Sequence, residues 1–210
     1  MDPTTRRLAG LLTAGLATTV TLTGCAAATS TPAALGPTSP SRTVTATSIA
    51  TPAPPTTRAP VLTTTGTTWP KVVGSLLTYG QWLLANPTPA LASSVTVPGC
   101  AANDMLTAEL QTYVDQNAYV QPAAPILTSI TGPVGAVGGQ ATVDIQAVRG
   151  AEPVYQRPLA GSTTHVTADR PQLPPTALSL SLIRGADSRW RICAATDPLN
   201  SSADALSSLL

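Results

Sequence analysis

The chain has 210 residues, three cysteines, 21 prolines, no phenylalanine and 10% charged residues, and its 43% hydrophobic residues suffice for one domain with a core. All tryptophans and tyrosines lie between positions 69 and 190, so residues 1–68 lack the large side chains that dominate core burial. Net charge is +3 over residues 1–68 and −2 over residues 69–210, a balance that argues against nucleic acid as a partner.

Residues 1–24 read as an export signal, with Arg6 and Arg7 at its start, an uncharged run from Leu8 to Leu22, and a small-residue site after it. Thr13, Thr18, Thr19 and Thr21 dilute the run, which is shorter than the roughly 20 apolar residues that cross a bilayer. It ends in Leu22-Thr23-Gly24-Cys25, which resembles the lipobox of bacterial lipoproteins. That resemblance implies cleavage before Cys25 and a diacylglycerol thioether on its sulfur, with palmitate-type chains anchoring the mature chain on the extracytoplasmic side of the cell membrane. Each buried methylene adds about 0.8 kcal/mol to such an anchor. A plain secretory signal with an incidental Cys25 is the alternative. Thr5-Arg6-Arg7 resembles a twin-arginine signal in part, but Ala9 and Gly10 stand where bulky residues belong, which leaves the export route open.

Residues 25–68 are dominated by Thr, Ala, Pro and Ser, as in Thr51-Pro52-Ala53-Pro54-Pro55. Such a stretch has too little apolar surface to offset about 1–2 kcal/mol per residue of backbone ordering, and is expected to be a disordered tether. Threonine- and proline-rich stalks also carry O-linked sugar, which composition leaves open.

From Trp69 the period becomes helical. Trp69, Val73, Leu76, Gly80 and Leu83 recur at three- and four-residue spacing, Thr68 is placed to cap, Pro70 suits the first turn and Asn86-Pro87 stops the helix. A second helix is predicted over 103–116 along Leu106, Leu110 and Tyr113, and a short helical turn within 89–97. After Tyr119 the period is two. Strands are predicted at Ile126–Ile130, around Val143, Ile145 and Ala147, more weakly at Ser162–Thr167, and along Leu178, Leu180 and Leu182. Pro171–Pro175 is expected as a connection, and Gly185–Ser188 turns the last strand into Arg189–Cys193. Helices first and antiparallel strands afterwards predict an α+β domain over 69–200, followed by a flexible tail at 201–210.

With Cys25 lipidated, Cys100 and Cys193 remain as a pair in an oxidising setting, and a structural disulfide is the economical reading. Two free thiols or a metal site are the alternatives, although one histidine and two cysteines make a poor zinc set.

The helix bearing aromatic and leucine positions, the turn before Pro98-Gly99-Cys100, the next helix and the strands ending in Arg189-Trp190-Arg191-Ile192 resemble the nuclear transport factor 2-like (cystatin-like) fold. More narrowly, they resemble actinobacterial lipoproteins that place such a domain after a Thr/Pro stalk. The resemblance implies a curved antiparallel sheet forming a cone around a long helix. In that superfamily the cone holds a small apolar ligand, carries an acid/base site, or is filled and leaves the surface for partners. Enzymatic relatives of the isomerase and cyclase type would need an aspartate or histidine inside the cone, with Asp144, His165, Asp169 and Tyr155 as candidates. Asp144 alternates with Val143 and Ile145, which reads as a solvated strand position, and the lone His165 sits between Thr164 and Val166. Neither is assigned a catalytic role, and no cofactor or metal residue is read. Gly132, Gly135, Gly138 and Gly139 read as a turn between strands rather than a phosphate loop, since no Lys-Ser/Thr follows. Arg184, Arg189 and Arg191 suit an exposed edge kept soluble. A non-enzymatic domain binding an envelope protein or a small apolar ligand is therefore expected, with an isomerase/cyclase-like enzyme as the alternative.

Overall fold

The computed structural model describes residues 58–134, 138–161, 163–199 and 205–210, all within the unit Ile49–Leu210. The signal segment, Cys25 and most of the expected tether lie outside the described residues. The domain is α+β. Its helices are α1 (Trp69–Ala85), α2 (Ala101–Asp115) and α3 (Ala205–Leu209), with a 3-10 turn at Pro89–Ser94. Among the described residues seven strands follow α2: β1 (Ala118–Val120), β2 (Ile126–Thr131), β3 (Gln140–Arg149), β4 (Glu152–Gln156), β5 (His165–Arg170), β6 (Leu173–Arg184) and β7 (Trp190–Thr196).

Helix α1 buries Val72, Val73, Leu76, Leu77, Leu83 and Leu84, so its apolar surface extends well beyond one stripe, as befits a helix enclosed by neighbours. Pro70 opens it as expected, but the Thr68 side chain makes no cap; the Thr68 carbonyl accepts from the Lys71 and Val72 N–H groups instead. Asn86 closes the helix with its N–H on the Trp82 carbonyl, and Pro87 prevents continuation.

The strands form two antiparallel ladders, β2-β3-β6-β7 and β1-β4-β5, where a single curved sheet was expected. The ladders are two arms of one long hairpin: Arg149 pairs with Leu173 and Glu152 with Arg170 at an unchanged offset, with 150–151 and 171–172 unpaired between them. Strand β3 alternates strictly, with Ala141, Val143, Ile145 and Ala147 inward, and β6 answers with Leu178, Leu180 and Leu182. Pro174 and Pro175, expected in a connection, belong to β6. They stand opposite Val148 where the register slips, on a stretch that β7 does not reach, so neither missing N–H costs a ladder bond.

A second bulge falls at Cys193, skipped between the pairs Ser181–Ala194 and Leu182–Ile192. The extra residue keeps both Ile192 and Ala195 on the buried face. The outer edge of β7 is covered: Val97 N–H donates to the Ile192 carbonyl, Ile192 N–H to Val95, and Trp190 N–H to Thr64. Trp190 also donates its indole N–H to the Gly66 carbonyl at 2.7 Å and meets Trp69 edge-on, centroids 5.4 Å apart. The packed domain therefore begins ahead of the expected boundary at Trp69, because Leu62 to Gly66 lines this edge.

The far boundary also differs. Residues 201–210 were expected as a flexible tail, yet Ala205–Leu209 is a helix whose Leu206 and Leu209, with Leu210, are at most 1% exposed. A short leucine pattern among four serines and one aspartate has too little length to announce itself, and burial decides its state.

Candidate functional site

Asp144, His165, Asp169 and Tyr155 do not converge. Asp144 lies on the exposed face of the larger sheet, in a row running across all four strands through Thr131, Asp144, Ser179 and Thr196. Its carboxylate accepts from the Ser179 hydroxyl at 2.6 Å, beside a shallow groove of about 190 Å³ bounded by Pro198. His165 and Asp169 are exposed on β5 in the other ladder. Tyr155 stacks on Tyr119 at 5.7 Å, the Arg157 guanidinium lies 5.8 Å above the Tyr119 ring, and burial raises the Tyr119 pKa with the Tyr155 hydroxyl adding to the shift.

Cys100 and Cys193 form the expected disulfide, with Cα atoms 5.0 Å apart across a separation of 93 residues. The bond joins the residue that precedes α2 to the bulge of β7, just beyond the Ile192–Val97 pairing. Around the last hairpin, Arg191 donates to both Asp187 oxygens and to the Ser93 carbonyl. That contact holds the Asp187 carboxyl down at about 2. Gly132 packs against the Trp69 indole, where a Cβ would come within 2.6 Å, and Trp69 donates to the Pro133 carbonyl. This glycine serves close packing in the β2–β3 turn.

The concentrated chemistry of the domain sits where the hairpin ladder is interrupted. Arg149, Glu152 and Arg170 are buried, and both arginines ion-pair with Glu152. Arg149 continues the inward phase of β3, so a guanidinium stands where the alternation calls for an apolar side chain. Glu109 of α2 joins from the other side, accepting from Arg170 at 3.1 Å and from the Tyr113 hydroxyl at 3.2 Å. The second Glu152 oxygen accepts from the Ala123 N–H at 2.8 Å. Among the described residues, every buried side-chain nitrogen and oxygen has a hydrogen-bond partner. Burial, and then the neighbouring Glu109 charge, push the Tyr113 hydroxyl up to about 12.

The cluster grips α3. Arg149 donates to the Ser208 carbonyl from Nε and Nη2 at 3.2 and 3.0 Å, Arg170 donates to the Ser207 carbonyl, and the Ser207 hydroxyl donates to Glu109 at 2.9 Å. The last carbonyls of a helix have no partner within it, and cations are favoured at that end. Below this clasp, Leu206, Leu209 and Leu210 enter the same core as α1, α2 and the larger sheet. Sequence reasoning missed the clasp. The one available signal was the pair of arginines, Arg149 and Arg170, flanking an interrupted strand pattern with Glu152 between them.

Among the described residues, no group of three or more metal-ligating side chains converges and no helix is long and apolar enough to cross a membrane. No family model and no curated protein matches the sequence. Among solved structures, the chain is similar to the intermembrane space region of the chloroplast protein ARC6, at 11% identity and a TM-score of 0.40, over 62% of this chain and 92% of that one.

Proposed function

We propose that the chain is a lipid-anchored cell-envelope protein whose α+β domain, of the nuclear transport factor 2-like type, is a non-enzymatic binding module carried away from the membrane on its Thr/Pro-rich tether. The observation that carries the anchoring is Leu22-Thr23-Gly24-Cys25 at the end of a leader with Arg6 and Arg7 near its start. The order of helices followed by antiparallel strands supports the fold assignment. Support for a binding role comes from the interior, where side chains of α1, α2, α3 and the larger sheet share one buried cluster, and from the position of Asp144, His165 and Asp169 on exposed faces. With the interior so occupied, the partner meets the outside of the domain. The buried Glu152 and the partly buried Glu109 carboxylates are both engaged by arginines, an arrangement that serves structure and differs from the apolar-walled acid of an isomerase.

Two fractionations test the anchoring. The parent should incorporate labelled palmitate and sediment with membranes, and Cys25→Ser should lose both properties. Equal labelling and membrane partition of the two would overturn the lipobox reading. For the binding role, incubation with small apolar steroids and polyketides should give no turnover, and turnover abolished by Asp144→Asn or His165→Gln would favour the enzyme reading instead.

A further inference from the structure

The exposed cations of the domain are gathered at one end. Residues 69–210 hold seven basic side chains against nine acidic ones, and the basic ones are unevenly placed. Arg149 and Arg170 are buried in the clasp and Arg157 lies over the Tyr119 ring on the smaller sheet, while Lys71, Arg184, Arg189 and Arg191 surround the start of α1 and the β6–β7 turn. Two hydrogen bonds bring the β2–β3 connection to the same place. The Arg184 N–H donates to the Gly139 carbonyl at 2.8 Å, and the Trp69 indole donates to the Pro133 carbonyl at 2.9 Å. One acidic residue, Asp187, belongs to these turns, and Arg191 engages both of its oxygens. Asp144, further along β3, stands opposite Thr131 and accepts from Ser179. Among the described residues, Lys71, Arg184 and Arg189 are exposed and make no ion pair, and beside them Val134 is wholly exposed.

We infer that this end of the domain docks on an anionic phospholipid surface, with Lys71, Arg184 and Arg189 at the headgroups and Val134 at the boundary with the acyl chains. Charge complementarity supplies the attraction, which acts within a Debye length of the surface. The apolar side chain among the cations selects lipid over other polyanions, because a bilayer offers an apolar layer beneath its charges and a nucleic acid leaves Val134 in water. Three cations make a weak contact by themselves. A tether fixed in the same membrane would raise the local concentration of the domain and strengthen it. The contact requires no lipid on Cys25.

The test uses the full chain with Cys25→Ser, in which Val134→Cys supplies the one thiol outside the Cys100–Cys193 bond and carries an environment-sensitive fluorophore. Vesicles of equal parts phosphatidylglycerol and phosphatidylcholine should shift its emission to the blue, vesicles of phosphatidylcholine alone should not, and added salt should weaken the response. The same fluorophore on His165→Cys, in exposed β5 of the other ladder, should stay unchanged. Changing Lys71, Arg184 and Arg189 to glutamine should weaken the response at position 134 by about fivefold per cation, while Arg184→Lys with Arg189→Lys should retain it. The leader is common to every chain compared, so these differences report the domain. An equal shift on neutral vesicles, an equal shift at position 165, or an unchanged affinity after loss of all three cations overturns the inference. So does a tighter response to a DNA duplex than to the anionic vesicles. No chain in this test carries lipid, so its failure and the failure of the anchoring proposal are distinguishable.

Discussion

The two arms of the long hairpin solve burial in opposite ways. In the larger sheet, β3 and β6 turn aliphatic side chains inward and Thr142, Asp144 and Gln146 outward, so the inner face needs no hydrogen bonds. Where that arm passes into the smaller sheet, Arg149, Glu152 and Arg170 occupy the buried positions, and α3 is fastened to them by its carbonyls. Burying an aliphatic side chain releases water from apolar surface and asks nothing of its neighbours beyond packing. Burying a charge demands a partner of opposite sign and a full set of hydrogen bonds. The first arm therefore tolerates change in proportion to the volume removed, and the second fails as a unit.

That contrast is breakable. Glu152→Gln should produce the largest loss, about 3–5 kcal/mol in urea unfolding, because it leaves Arg149 and Arg170 buried without their shared counter-charge. Replacing Arg149, Glu152 and Arg170 together by methionine and leucine should cost less than the single change, and the opposite order would show that the network is not cooperative. Leu180→Ala, in the apolar arm, should cost about 2–4 kcal/mol through lost transfer energy and a cavity, and should add to Glu152→Gln if the two arms are independent.

A smaller effect belongs to Tyr113. Its pKa is raised in the folded state to about 12 from an ordinary value near 10, so the neutral phenol is the form the fold favours. Stability from this group is complete below pH 10 and is lost as pH rises through 12, at most roughly 2–3 kcal/mol. Tyr113→Phe should flatten the alkaline limb of the stability profile, and an unchanged limb would remove Tyr113 from the account. Smallest of all, Asp144→Asn on the exposed face should stay within about 0.5 kcal/mol, since it alters one solvated hydrogen bond to Ser179. A loss near that of Leu180→Ala would mean that this face is covered.

The legibility of the fold follows the same division. The inward row Val143, Ile145 and Ala147 and its partners Leu178, Leu180 and Leu182 were readable because period-two alternation reports a single buried face. So was the first helix, with Pro70 at its start and Asn86-Pro87 at its end. Strands β1 and β4 were not readable: Ala118–Val120 is three residues long, and Glu152-Pro153-Val154 opens on a charge and a proline. Nor was the start of β6 at Leu173, where Pro174 and Pro175 argue for a connection until the bulge opposite Val148 is known. The candidates Asp144 and His165 were visible as residue types, but their separation onto two ladders depends on pairings distant in sequence.

By itself the sequence determined what local chemistry controls: an uncharged run before Leu22-Thr23-Gly24-Cys25, a Thr/Pro-rich stretch without large aromatic side chains, the helix-then-strand order, and two cysteines, Cys100 and Cys193, within the domain. Only the tertiary structure decided that Cys193 lies in a bulge facing the start of α2, that Leu62 to Gly66 seals the edge of β7, and that residues 205–210 belong to the core. The physical reason is the range of the forces. Periodicity and caps act within a few residues, whereas a buried arginine becomes tolerable only when a glutamate and a set of carbonyls arrive from elements far away in the chain.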